Sequence, residues 1–416
     1  MLARLASCLF AALIAAFLST QAAAQTATPQ LMGDRLRAGQ LMDLQSELTA
    51  RLEAAPADDQ ARFALGATQF IIAVEHMAQS MYRHGLQPPR GLMQQFPFFR
   101  FPVPPNPAPE KLDYGKMRAI FQAMVDDLGK TEATLAKITA ADVKLPIAIG
   151  LARLDLNGDG KADEGETLWR VLDSSLGGGN IPAEAVDRFI ITFDRADVAW
   201  LRGYTHLLRA LLEFGLAHDW RMGFDASFHM LFPGAQLPNA LLNTLPPRPD
   251  DWFDAPSIAD TIAFIHLMHW EVTEPERLKA SLGHLESVVA LSRESWGFIL
   301  KETDDEAEWI PSPTQKNAVM PAATITQQTV DGWMVFLGEF EAILKGQKLI
   351  PHWRLAKGIN FRRVFTEPAP FDPILWAQGS AALPYLEDGP MTDAETWGRI
   401  MMMFEGNFLG YAMWFN

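Results

Sequence analysis

Twelve consecutive residues, Asp155-Leu156-Asn157-Gly158-Asp159-Gly160-Lys161-Ala162-Asp163-Glu164-Gly165-Glu166, carry the one arrangement in this chain whose residue types and spacing specify a chemistry. Oxygen-bearing side chains recur at the first, third, fifth, ninth and twelfth positions, Asp155, Asn157, Asp159, Asp163 and Glu166, with Gly160 at the sixth. Calcium takes six to eight oxygens at roughly 2.3 to 2.6 Å, and this spacing supplies them. Asp155, Asn157 and Asp159 offer one oxygen each, the Lys161 carbonyl another, and Asp163 one more directly or through a water. Glu166 closes the set with both carboxylate oxygens, and Gly160 permits the left-handed turn that folds the donors inward. The plainer alternative is a polar turn without an ion, since Asp, Asn and Gly dominate turns.

Over about residues 145–176 the segment resembles the EF-hand calcium-binding loop family. That resemblance implies one calcium ion held by Asp155, Asn157, Asp159, Lys161, Asp163 and Glu166. The exiting side follows the family, with Glu166, Trp169, Arg170, Val171 and Leu172 at helical spacing and Gly177-Gly178-Gly179 ending the helix. The entering side departs from it, because only eight residues separate Pro146 from Asp155 and Gly150 interrupts them. Ala162 stands where the family places a branched apolar residue that bridges to a partner hand, and the chain has no second loop. A single hand with a stunted first helix suits a structural ion better than a calcium switch. The similar loop of propeller blades needs many copies between strands, and here there is one.

Histidines offer a second chemistry. His266 and His269 stand three residues apart with Glu271 beyond, a spacing that holds a transition metal when both lie on one helix face. The surrounding helix reads as apolar almost all round, which points instead to buried, neutral imidazoles. His206 and Glu213, seven apart, share a helical stripe with Arg202 and Arg209. Those guanidinium groups repel a cation, so the stripe reads as a solvated face with an Arg209–Glu213 pair, or as an anion-binding face. His218 and His229 join a pocket only if the fold returns to them. The common hydrolase, kinase and dehydrogenase motifs are missing.

The elements that must position these groups are helical. Apolar periodicity predicts helices over 35–54, 60–84, 110–137, 165–176, 196–218, 257–271, 275–300, 325–344 and 392–413. The expected architecture is all-α, a multi-helix array with long proline-rich loops and one embedded calcium loop. Residues 41–82 read as a single tetratricopeptide-like hairpin without further repeats. The first long connection, 87–109, interleaves eight prolines with Phe96, Phe98, Phe99 and Phe101, and reads as a clamp packed onto the helical body or as a groove lining. Residues 1–24 read as a cleaved secretory signal, from Arg4, the apolar run Leu9 to Leu18 and Ala22-Ala23-Ala24, followed by a helical region over 25–140, the loop with its helix over 145–176, and a helical region over 182–416.

Composition narrows the function classes. Cys8 is the only cysteine and falls in the signal, so thiol chemistry, disulfides and thiolate metal sites are excluded from the mature chain. A formal charge of −15 argues against nucleic acid and anionic membrane surfaces as partners. The expectation is a periplasmic or secreted calcium-binding protein with a structural ion. Two alternatives stand beside it: a metal-assisted hydrolase using His266 and His269 with Glu213 or Glu271, and a module that takes a peptide or glycan on the proline and phenylalanine loop.

Overall fold

A computed structural model describes residues 28–89, 99–175, 190–239, 255–316, 325–404 and 408–415. The expected signal, Phe96, Phe98 and the Gly177–Gly179 helix stop lie outside them. The architecture is all-α, and three two-stranded antiparallel sheets are its only sheets among these residues. No helix there is long and apolar enough to cross a membrane.

Four helices form the frame: α3 (Asp59–Arg83), α4 (Tyr114–Leu135), α6 (Arg195–Leu216) and α9 (Pro275–Ile299), with α1 (28–37) and α2 (Leu41–Ala54) before them. Aspartates cap three of these starts: Asp58 accepts from the Ala61 amide, Asp113 from Lys116 and Asp194 from Ala196, each satisfying an otherwise orphaned donor. Charge pairs set the directions. Arg195 at the start of α6 meets Glu294 near the end of α9, and Glu213 near the end of α6 meets Arg277 at the start of α9. The two helices therefore run antiparallel. Glu132, late in α4, likewise meets Arg202, early in α6.

Strands β1 (Leu145–Ile147) and β2 (Ile191–Phe193) pair with Leu145 opposite Phe193, flanking the acidic loop and α5 (Leu168–Ser175). Beyond α6 come β3 (His218–Asp219), α7 (Arg221–Ser227), α8 (Ala255–His266) and β4 (Glu271–Val272), and β3 pairs with β4. After α9 follow α10 (Gln327–Leu344), β5 (Gly358–Ile359), α11 (Phe361–Thr366), α12 (Pro373–Gln378), β6 (Leu386–Glu387), α13 (Ala394–Met403) and α14 (Phe408–Phe415).

Several sequence expectations change here. The helix expected over 257–271 ends at His266, and Glu271 lies in a strand. The Trp270 and Phe371 backbones exchange hydrogen bonds of 2.9 Å, and that pairing outweighs local apolar periodicity. Ile258 and Ile262 on α8 are exposed, so this helix is not buried all round. The stretch expected as one helix over 392–413 forms α13 and α14, and the short α7, α11 and α12 carry too few turns to show a period. The proline loop does clamp the body: Phe99 is buried and meets Phe228 edge-on at 5.6 Å, while the Gln87 amide donates to the Leu231 carbonyl.

The C-terminal core gathers Trp296, Trp333, Phe404, Phe408 and Phe415. Trp333 is 1% exposed, lies 5.4 Å from the Phe415 ring, and donates its indole N–H to Ser292 at 3.0 Å. Trp333→Ala should therefore cost about 3–5 kcal/mol, read from the urea midpoint, because it opens a large cavity and removes the indole N–H donated to the buried Ser292 hydroxyl. A loss under about 1 kcal/mol would place Trp333 outside the cooperative core.

Candidate metal centre

The acidic loop Asp155–Glu166 is closed at its base by backbone rather than by two helices. A one-turn 3-10 segment, Ile149–Leu151, stands where an entering helix was expected, and the chain then extends. Leu154 N–H donates to the Glu166 carbonyl and Leu168 N–H to the Ala152 carbonyl, both at 2.8 Å. The exiting helix starts at Leu168, after the last donor rather than at Gly165.

Inside the loop, amides hold the side-chain oxygens in place. Asp155 Oδ1 accepts from Gly158 and Asp159 at 2.7 and 3.1 Å, and its Oδ2 accepts from Gly160 at 2.8 Å. Asn157 Oδ1 accepts from Asp159, and Asp159 Oδ1 from Lys161. Glu166, 8% exposed, folds back across the loop, accepting from Leu156 through Oε1 and from Asp163 through Oε2. Gly160 has φ +83°, which its lack of a side chain permits. Arg153, the one base paired to a loop carboxylate, reaches only exposed Glu164, which is not among the expected ligands.

The loop is seated on the helical body at two places. Glu75 of α3 is buried and accepts the Asp155 N–H at 2.7 Å, while Gln79 donates to the Asp155 carbonyl at 2.8 Å. Ala162 abuts Gly39, at φ +68°, so closely that a methyl on that glycine would lie 2.2 Å from the Ala162 Cβ. The turn between α1 and α2 therefore packs directly on Ala162, and the tight contact leaves no room there for a larger side chain.

Five carboxylates, Glu75, Asp155, Asp159, Asp163 and Glu166, belong to this corner. Burial, then the charges of Asp155 and Glu166, pushes Glu75 up to about 7. Burial and the charges of Asp155 and Asp163 also raise Glu166. The donor set is all oxygen, in excess negative charge, and fits a hard divalent cation. It is not, however, the tightest acidic grouping. Among the described residues the one trio of carboxylate or imidazole groups with ligand atoms within 4.8 Å of one another is Asp194, Glu302 and Glu308. The carboxylates of Asp155, Asp159 and Glu166 face loop amides instead.

That trio joins the start of α6 to the turn beyond α9, with Asp197 fully buried beneath it and accepting the Asp194 N–H at 2.9 Å. Burial and neighbouring carboxylates push Glu302 up to about 8 and Glu308 to about 7. Lys144, the nearest base, is held by Asp304 and Glu306. Neither Glu75 nor this trio is legible in the sequence, because the partners lie tens to more than a hundred positions apart.

The histidine candidates do not assemble. His266 ends α8 exposed, whereas His269 lies between Asp372 at 3.1 Å and Glu271 at 3.7 Å on the surface. Glu213 pairs with Arg277 rather than with Arg209 or His206. His218 is buried and meets the Phe214 carbonyl through Nδ1, and His229 approaches Asp260 at 3.3 Å. No family model, curated protein or solved structure matches this chain.

Two pH effects follow for the metal-free protein. A carboxyl whose pKa is raised on folding stabilises fully below its unfolded value, here 4.5 for Glu75, and that contribution is lost as pH rises through about 7. Glu75→Gln should flatten the slope of unfolding free energy between those values, as measured by urea titrations at a series of pH. The Asp194–Glu302–Glu308 trio acts in the same direction through about 7 to 8, so Glu302→Gln should relieve destabilisation on the alkaline side of that window. A variant whose pH profile superimposes on the parent's would remove that carboxyl from the account.

Proposed function

We propose that this protein binds one calcium ion in the loop Asp155–Glu166 and uses it as a structural fastener. The ligands are Asp155, Asn157, Asp159, the Lys161 carbonyl, Asp163 and Glu166. The observation that carries the reading is the buried Glu166 carboxylate folded over a loop of preset oxygens, whose expected ligand carboxylates have no ion pair to a base among the described residues. Calcium is favoured over magnesium because this many oxygens, one carboxylate offering both of its own, suits the larger ion, whereas magnesium keeps several waters.

What the ion would fasten is visible in the contacts. Through Asp155 it would bear on Glu75 and Gln79 of α3, and through Ala162 on the turn before α2. A switch needs two helices that open against each other, and this loop has one helix and a backbone clasp. Export to a calcium-rich compartment is consistent with the acidic composition and the apolar N-terminal run. The hydrolase reading loses its basis in the separation of His266, His269 and Glu213.

If free calcium stands a hundredfold above the dissociation constant, binding to the folded chain alone adds about 2.7 kcal/mol. Glu166→Gln should remove most of that gain. The check is thermal unfolding of parent and variant in calcium, in magnesium and in chelator. A parent that melts alike in calcium and chelator would end the structural-ion reading.

A further inference from the structure

The polar stripe of α6 leaves one cation uncompensated. Arg202 is held bidentately by Glu132 of α4, its Nε and Nη2 at 2.8 to 3.1 Å from the carboxylate oxygens. Arg277 of α9 takes Glu213 at 2.7 Å, together with Glu274 and Gln122. Arg209 lies between these two pairs, half-buried, with its Nε sealed from solvent and unbonded; it has no carboxylate partner among the described residues. That is anomalous in a chain of 50 acidic and 35 basic residues, and leaving a half-buried cation uncompensated is costly.

The surroundings are those of an anion's pocket wall. His206 and His284 meet across α6 and α9 with their Nδ1 atoms 2.8 Å apart, so one donates and the other accepts. His206 Nε2 lies 3.5 Å from Glu132, which suits the donor tautomer there and makes His284 Nδ1 the donor between the rings. On α4 the residue opposite the guanidinium is Gly129, whose missing side chain leaves a methyl-sized gap: a Cβ there would meet Arg209 Cζ and Nη2 at 3.9 Å, ordinary contact. We propose that Arg209, with His284 beside it, is a binding site for a small oxyanion, a phosphate, sulfate or carboxylate group taken by the guanidinium fork.

Proton uptake would accompany binding. The charged and titratable groups that act on His284 are Arg209 and His206 of α6 and Glu132 of α4. Burial, then Arg209, then His206 push His284 down to about 4, with Glu132 opposing. An oxyanion on Arg209 cancels the second of these influences and offers an acceptor to His284 Nε2–H, so binding should raise that pKa and tighten as pH falls.

The test is proton NMR of the wild-type protein's histidine C2–H resonances at pH 6, with phosphate, sulfate and acetate each titrated against chloride at matched ionic strength. His284→Asn assigns the resonance. Saturable movement of the His284 signal by an oxyanion but not by chloride is expected; response to phosphate and sulfate alone marks a tetrahedral anion, and response to acetate a carboxylate. Arg209→Lys should weaken binding about tenfold, as expected for losing a bidentate charge-assisted hydrogen bond, and Arg209→Met should abolish it. If the wild-type signal is indifferent to all three oxyanions, the site does not exist and Arg209 is merely solvated. An unchanged response in a folded Arg209→Met variant would overturn the assignment equally.

Discussion

Every large apolar core in this protein closes against one helix, α6. Val198 and Leu201 belong to the core shared with α2 and α3, Leu212 and Leu216 to the aromatic core around Trp220 and Phe228, and Ala196 and Ala217 to the core around Trp296 and Trp333. A helix that is apolar on several sides has nowhere to meet water except along its remaining stripe, which carries Arg202, His206, Arg209 and Glu213. The polar stripe is therefore sandwiched between α4 and α9, and its charges must be satisfied by those neighbours. Glu132 and Arg277 do this for Arg202 and Glu213. The antiparallel arrangement of the three helices and the ion pairs along them are consequences of that single constraint.

Excess negative charge is the second constraint. Carboxylates outnumber bases, and where helix ends converge they are brought together faster than bases can be supplied. At the loop, backbone amides take up the role of counter-charge, with oxygens of Asp155, Asp159 and Glu166 accepting from N–H groups. At the junction of α6 and α9 the response differs. Asp194, Glu302, Glu308 and Asp197 are crowded and partly dry, and although Asp194, Asp197 and Glu308 each accept an amide, burial and mutual repulsion still raise their pKa values, so the cluster holds protons more readily. The same acidic excess thus produces a preorganised oxygen loop in one place and a proton-holding cluster in another.

The oxygen-rich loop is legible in the sequence because its oxygens are spaced locally, within twelve residues, with a glycine of positive φ at a fixed place among them. Its support is not. Glu75 and Gln79 reach it from about 80 positions upstream, and the Gly39 turn packs directly on Ala162. No spacing rule signals either. Ala162 was a visible departure from the family pattern, and the lack of room there for a larger side chain became plain only from the 2.2 Å that would separate a Gly39 methyl from it. His266 and His269 were misplaced for a related reason, since a periodic apolar run was read through to 271 when the cross-chain pairing of Trp270 with Phe371 stops it.

The sequence by itself determined the helical class, most long helices and the oxygen loop, because these depend on period and on contacts a few residues apart. Tertiary structure alone decided which charges are compensated. Glu213 had two arginines within reach, its helical neighbour Arg209 and the distant Arg277, and took Arg277 once α9 was packed against α6. An ion pair is settled by which partner the apolar packing brings close and dry. That packing is a property of the whole chain and not of any segment in it.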